Sequence, residues 1–195
     1  FKKFKEAVNY SRDLEGKKLD NFESNLVSGI YYLEKKDFAK ARIFFKKLKN
    51  QNQPNTIQNL LSTSLNNWSN FNDISSALSS LESLPNRFKN IKNIQEVFVY
   101  CHFESERTDE MFKKLTINSN INYSRYHFFH ANYLASKGKE KKAKKILQSS
   151  AGLYPTNLIL NQLRTDLNQK QKNRNEFDCI NSSHVIAEIL YIVAN

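Results

Sequence analysis

Residues 28–48 read SGIYYLEKKDFAKARIFFKKL, and 102 positions later residues 130–150 read HANYLASKGKEKKAKKILQSS. Laid over one another, the two stretches place Gly29 on Ala131, Tyr32 on Leu134, Ala41 on Ala143 and Phe45 on Leu147. The shift of 102 is three times 34, and a period near 34 residues is the length of one helix–turn–helix unit in a repeat array. Each stretch therefore reads as two antiparallel helices. Such helices approach closely only where each offers a small side chain, here Gly29 and Ala41, while Tyr32 and Phe45 fill the space beside the crossing. Between them EKKD (34–37) is a short polar turn, with Gly138 in the corresponding later turn. Pro155 closes the later unit because proline cannot continue a helix.

Three periods between the clear copies require two weaker ones. LSTSLNNWSNFNDISSALSSLESLP (61–85) supplies Leu65, Trp68, Ala77, Leu81 and Leu84 in the same order, displaced by two residues. IQEVFVYCHFESERTDEMFKKL (94–115) supplies Val99, His102, Met111 and Leu115, with methionine in place of the small residue. Ala7 lies 34 positions before Ala41 in KEAVNYSRDLEG, which reads as the second helix of a preceding repeat. After Pro155, Leu160, Leu163 and Leu167 recur at helical spacing. A polar break, NQKQKNRNEFD, precedes a final helix with Ile186, Ile189, Leu190 and Val193 on one face. The expected organisation is a single array over 1–195: a partial repeat at 1–21, repeats at about 22–55, 58–91, 92–123 and 124–157, and terminal helices at 158–169 and 182–194.

Only 4 Gly and 3 Pro punctuate 195 residues, which favours an all-α class. The net charge of +11 is the kind that attracts anionic polymers. It comes from 23 Lys and only 7 Arg, alongside 25 Asn, and base and phosphate recognition generally favours arginine. Nucleic acid is accordingly not the expected partner. Cys101 and Cys179 stand 78 residues apart with no CxxC spacing, so they read as small buried hydrophobes in a reducing compartment rather than a disulfide or zinc site. The chain opens on Phe1 and ends in an apolar run, VIAEILYIVAN, so a segment of a longer protein is expected, from which any targeting signal would be missing, with a cytoplasmic location favoured. That run is too short to cross a bilayer.

Over residues 5–167 these features resemble the tetratricopeptide repeat family, and the ending FDCINSSHVIAEILYIVAN is similar to that of large tetratricopeptide proteins of alphaproteobacteria. The resemblance implies a right-handed superhelical solenoid of antiparallel helix pairs, acting without catalysis as a scaffold that binds protein or peptide partners in a concave groove. By the family's groove positions, the candidates are Leu26, Ile30, Leu33, Asn66, Glu96, Tyr100, Phe103, Arg125, Phe128 and Asn132. Gly29, Tyr32, Ala41, Phe45, Ala77, Ala131, Ala143 and Pro155 are the repeat-packing residues. A groove mixing Asn and Ser with aromatics suits an extended chain or a partner helix. The competing expectation is that another part of the same chain, or a second copy, fills it and turns Tyr100, Phe103 and Phe128 into core.

Other constellations are weaker. KGKEKKAKK (137–145) carries six lysines and reads as a solvated face; as a binding element it would serve RNA or another anionic polymer, with strong salt dependence. His127 and His130 are spaced to share a metal ion, yet no carboxylate or third histidine stands near in sequence. Cys101 and His102 point about 100° apart on a helix, the wrong arrangement for a thiol–imidazole pair. With no phosphate loop, GxSxG or HExxH, neither catalysis nor a cofactor is expected.

Overall fold

The computed structural model describes residues 2–50, 56–70, 72–117, 123–169 and 177–194; most of the polar break expected at 168–178 lies outside them. The described residues are all-α, with eleven α-helices packed sequentially as adjacent pairs. They are α1 (Lys2–Gly16), α2 (Phe22–Glu34), α3 (Phe38–Asn50), α4 (Ile57–Trp68), α5 (Ile74–Glu82), α6 (Lys89–His102), α7 (Thr108–Thr116), α8 (Ser124–Ser136), α9 (Glu140–Leu153), α10 (Leu158–Asn168) and α11 (Ser182–Ala194). Although the sequence reads as one array, the packing groups the chain into two compact units, Phe1–Gln95 with Asn181–Asn195, and Glu96–Ile180. Among the described residues no helix is long and apolar enough to cross a membrane.

Several helix starts follow from local polar chemistry. Asn21 and Asp73 each cap their helix in a reciprocal box with Ser24 and Ser76, and Thr56 and Asn157 accept from the backbone N–H groups of Asn59 and Leu160. The helix ends recur in a regular pattern. The N–H groups of Lys36, Asn70, Glu104 and Gly138 donate to the carbonyls of Leu33, Asn67, Cys101 and Ala135 at 2.9, 2.9, 3.0 and 3.0 Å. One residue earlier, Lys35, Ser69, Phe103 and Lys137 donate to Tyr31, Leu65, Val99 and Tyr133, each at 3.2 Å. The ends of α2, α4, α6 and α8 therefore recur at strict intervals of 34 residues. Three of the four turn residues, Lys36, Glu104 and Gly138, adopt positive φ of 59°, 50° and 70°.

This register corrects the two weaker copies. Tyr100, not His102, stands where Tyr32 stands, and Asn66, not Trp68, holds that place on α4. The displacement by two belongs to the second helix of that copy alone: α4 ends at Trp68 and α5 starts at Ile74, a longer connection than the one from Glu34 to Phe38. Ala77 is fully buried there, at the displaced position the sequence indicated. On α7 the small buried residue is Thr108 rather than Met111. Thr108 is fully buried and its hydroxyl donates to the Tyr100 carbonyl at 2.9 Å, whereas Met111 is only half-buried.

In the first unit α2 lies against α3, with the Phe45 ring packed onto bare Gly29. A Cβ built on Gly29 would stand 2.7 Å from Phe45 Cδ1 and closer still to Cε1. Tyr32 stacks on Phe44 at 5.6 Å, and Ala41 is fully buried. Helix α11 packs against α4 through a face centred on Val185, Ile186 and Ile189, all buried, with Leu190 and Val193 half-buried at its margin. Beside them α4 is buried on nearly every side, and its Ser64 and Trp68 join Gln95 in an interior chain: Trp68 Nε1 donates to Gln95 Oε1 at 3.1 Å and Gln95 Nε2 to Ser64 Oγ at 2.9 Å.

In the second unit α8, α9 and α10 close around Ala131, Leu134, Ala143, Leu147, Leu160, Leu163 and Leu167. Pro155 is exposed just past the end of α9. Cys101 and Cys179 form a disulfide with their Cα atoms 5.8 Å apart. This overturns the expectation of two free, buried thiols: pairing depends on proximity in the fold, which a spacing of 78 residues does not reveal. The argument for a reducing compartment goes with it, since disulfides persist in oxidising surroundings.

Candidate functional site

The face of interest in the second unit is formed by α6 and α8. Counting 34-residue steps from Leu26, Ile30 and Leu33 of α2 leads to Ile94, Phe98 and Cys101 on α6, and to Phe128, Asn132 and Ala135 on α8. Three of these, Phe98, Cys101 and Asn132, touch one non-helical segment, Phe177–Ile180. The Phe177 ring stacks on Phe129 at 3.9 Å and 11°, and lies 5.1 Å from Phe98. Asn132 Nδ2 donates to the Phe177 carbonyl at 3.3 Å. His102 Nδ1 lies 3.0 Å from the Cys179 carbonyl, and because a carbonyl only accepts, that nitrogen carries the proton. The Cys101–Cys179 disulfide fixes the segment between these contacts. Asp178 folds the end of the segment by accepting from Ile180 N at 3.0 Å. A cavity of about 210 Å³ remains beside it, lined by Phe112, Tyr133, Ser136 and Lys137 among others.

An aromatic side chain sits in an aromatic cluster, while an amide and an imidazole satisfy two backbone carbonyls. The residues expected to line a groove divide accordingly. Asn132 is buried in this contact, and Phe128 is half-buried against the α8–α10 core. Arg125 is exposed with its guanidinium 5.1 Å above the Phe129 ring. Tyr100 is buried at 9% exposure, its hydroxyl accepting from Arg107 at 3.3 Å, because it occupies the interhelical place of Tyr32. Phe103 and Glu96 are half-buried. In the first unit Leu26 and Ile30 are half-buried and Leu33 is buried. Asn66 has its Oδ1 buried without a hydrogen-bond partner, on a helix against which α11 packs.

Sequence reasoning missed Phe98, Cys101, Phe129, Phe177 and Cys179. The strict 34-residue step from Ile30 and Leu33 was the signal for the first two. Nothing local to residues 177–180 marks them as an occupant.

The histidine pair is also resolved. His130 Nε2 donates to Asp109 at 2.7 Å, supplying the carboxylate that was not near in sequence, and its ring stacks on Phe112 at 4.9 Å. Burial lowers the His130 pKa to about 4 against the opposing pull of Asp109, so the ring is neutral at pH 7. Burial likewise lowers His127. Burial works to raise the Asp109 pKa, but the hydrogen bonds from Lys113 and His130 outweigh it and hold the carboxyl below its usual value. Among the described residues no group of three His, Cys, Asp or Glu is placed to hold a metal ion. Of the lysine run, Lys137 pairs with Glu104 and Lys142 stands 3.7 Å from Asp109. Compared with family models, curated proteins and solved structures, the chain matches none.

Proposed function

We propose that this chain is a non-enzymatic helical-repeat scaffold of tetratricopeptide type, a right-handed solenoid of helix pairs whose first-helix faces bind protein partners as short non-helical segments. The observation that carries this reading is the seat of Phe177–Ile180 on α6 and α8, with Phe177 stacked at 3.9 Å on Phe129 and its carbonyl bound by Asn132. A non-helical guest held through main-chain hydrogen bonds and a side-chain pocket is a common mode of peptide recognition. The chain's own segment occupies this seat, so a partner must present similar chemistry and displace it.

The test separates guest from host. The full chain carrying Phe177→Ala and Cys179→Ser opens the seat, and a labelled peptide copying residues 174–182 is titrated into it. Saturable binding is expected, lost when the peptide itself carries Phe177→Ala and weakened by Asn132→Ala in the host. The oxidised wild-type chain should bind at least ~10-fold more weakly, because its tethered segment competes at an effective concentration on the order of millimolar. No binding to an opened variant of undiminished helicity would sink the proposal.

A further inference from the structure

Among the contacts that hold Phe177–Ile180 on α6 and α8, one differs in kind. The stack of Phe177 on Phe129, the Asn132 hydrogen bond and the bond from His102 to the Cys179 carbonyl are all contacts that a guest from another chain can reproduce. The Cys101–Cys179 disulfide instead ties this one segment to the seat. By the 34-residue step, Cys101 stands on α6 where Leu33 stands on α2, and both are buried. The position asks for an apolar side chain rather than a covalent bond. A free cysteine packs as a small hydrophobe, so reduction leaves the wall of the seat intact, with Phe98 and Phe129 beside it.

The non-covalent contacts are modest beside that bond. The segment is non-helical, and fixing each of its residues costs backbone freedom. Against this cost stand a half-buried ring and hydrogen bonds to two carbonyls, and such bonds contribute little net stability in exchange for those to water. Ile180 is exposed and Asp178 is half-buried, so the segment lies at the surface of the unit. The disulfide closes a span of 78 residues and restricts the unseated segment; breaking it returns that freedom.

We propose, on the reading that α6 and α8 seat a partner's segment, that the Cys101–Cys179 disulfide is a redox latch on this seat. Oxidised, it keeps Phe177–Ile180 in place; reduced, the segment lifts and the seat is open to a partner. The reductant is a dithiol. One of its thiolates attacks Cys179 Sγ, the bond between the two sulfurs breaks, and Cys101 leaves as a thiolate that takes up a proton. The second thiol of the reductant then displaces Cys179 from the mixed disulfide. The reductant ends as a disulfide, and the protein gains two electrons and two protons. Cys101 is fully buried and Cys179 is 4% exposed, so attack follows local lifting of the segment rather than entry into the closed seat. Without a catalyst the exchange takes minutes to hours.

The full chain is compared oxidised, reduced with dithiothreitol and reoxidised, with free thiols counted by alkylation and helicity followed by circular dichroism. The probe is a labelled peptide copying residues 174–182 with Cys179→Ser, which cannot form a mixed disulfide. Reduction should free both thiols at unchanged helicity and tighten the peptide at least ~10-fold. Once the reductant is removed, chymotrypsin should cleave after Phe177 at least ~10-fold faster than in the oxidised chain, because cleavage tracks the population of the lifted segment. Reoxidation should reverse both effects. Cys179→Ser in the chain should match the reduced state and ignore dithiothreitol. Cleavage needs no guest, so the two readings fail separately. If the opened Phe177→Ala, Cys179→Ser chain binds no peptide, peptide recognition falls and cleavage still decides the latch. If that chain binds but reduction changes neither affinity nor cleavage, the latch alone falls. A disulfide that resists dithiothreitol at full helicity, or a reduction that costs helicity, also overturns it.

Discussion

At the residue scale the fold turns on single atoms. Gly29 weakens its own helix by about 1 kcal/mol relative to alanine, so a glycine in mid-helix needs a reason. The reason is the Phe45 ring, fully buried and lying where a methyl group would go. Gly29→Ala gains the propensity term but forces that ring against packed neighbours. Overpacking of this kind costs about 1–3 kcal/mol, so a net loss is expected. Urea unfolding of the full chain measures it as a lower midpoint at unchanged slope; a raised midpoint would mean the ring turns aside freely. The small residue was legible from the sequence, because close antiparallel helices demand one at a fixed place; that the Phe45 ring lies directly on it was not. The Asp109–His130 bond was not, since 21 residues and one change of helix separate its partners and nothing in either neighbourhood names the other.

At the scale of elements, the repeat lives in backbone geometry more than in side chains. Lys36, Asn70, Glu104 and Gly138 occupy equivalent turns and share no residue type. The turn asks for two backbone hydrogen bonds and, at three of the four, a positive φ. A residue-type comparison therefore passes over the strict period and is drawn to the apolar stripes of the second helices, which shift when a connection lengthens. That is why the residue types of α9, with its parent spacing intact, align with those of α3, while the first helices of the middle copies were set two residues late. It also moved the candidate site from Phe98 and Cys101 to Tyr100 and Phe103. The same geometry makes a prediction. Lys36 holds φ at 59°, where Gly138 stands in the later copy, and a left-handed conformation costs a non-glycine residue about 1–2 kcal/mol. Lys36→Gly relieves that strain, partly offset by the greater freedom of glycine in the unfolded chain. The expected outcome is a gain of up to about 1 kcal/mol, read as a higher thermal midpoint; a fall would show that the lysine side chain contributes more than its backbone costs.

At the scale of the whole chain, stacked repeats touch only their neighbours, and their stability approximates a sum of local terms. Two features break that rule within the units themselves. Phe177–Ile180 returns to α6 through a disulfide spanning 78 residues, and α11 returns to α4 from more than a hundred residues away. Neither return was legible, because an apolar face such as Val185, Ile186 and Ile189 specifies burial without specifying a partner. Truncation after Ile180 keeps the disulfide and every helix of the second unit while stripping α11 from the first. In a purely nearest-neighbour array, losing a terminal helix would weaken only the helix before it, α10. Here the loss should fall on α4, which sits in the middle of the sequence. Each of the three buried apolar side chains of α11, Val185, Ile186 and Ile189, contributes on the order of 1.5–3 kcal/mol by leaving water. Hydrogen exchange on the truncated chain should show α4 amides losing protection by orders of magnitude, while α8, α9 and α10 keep theirs. Protection lost first in α10, with α4 unchanged, would instead return the chain to the nearest-neighbour description.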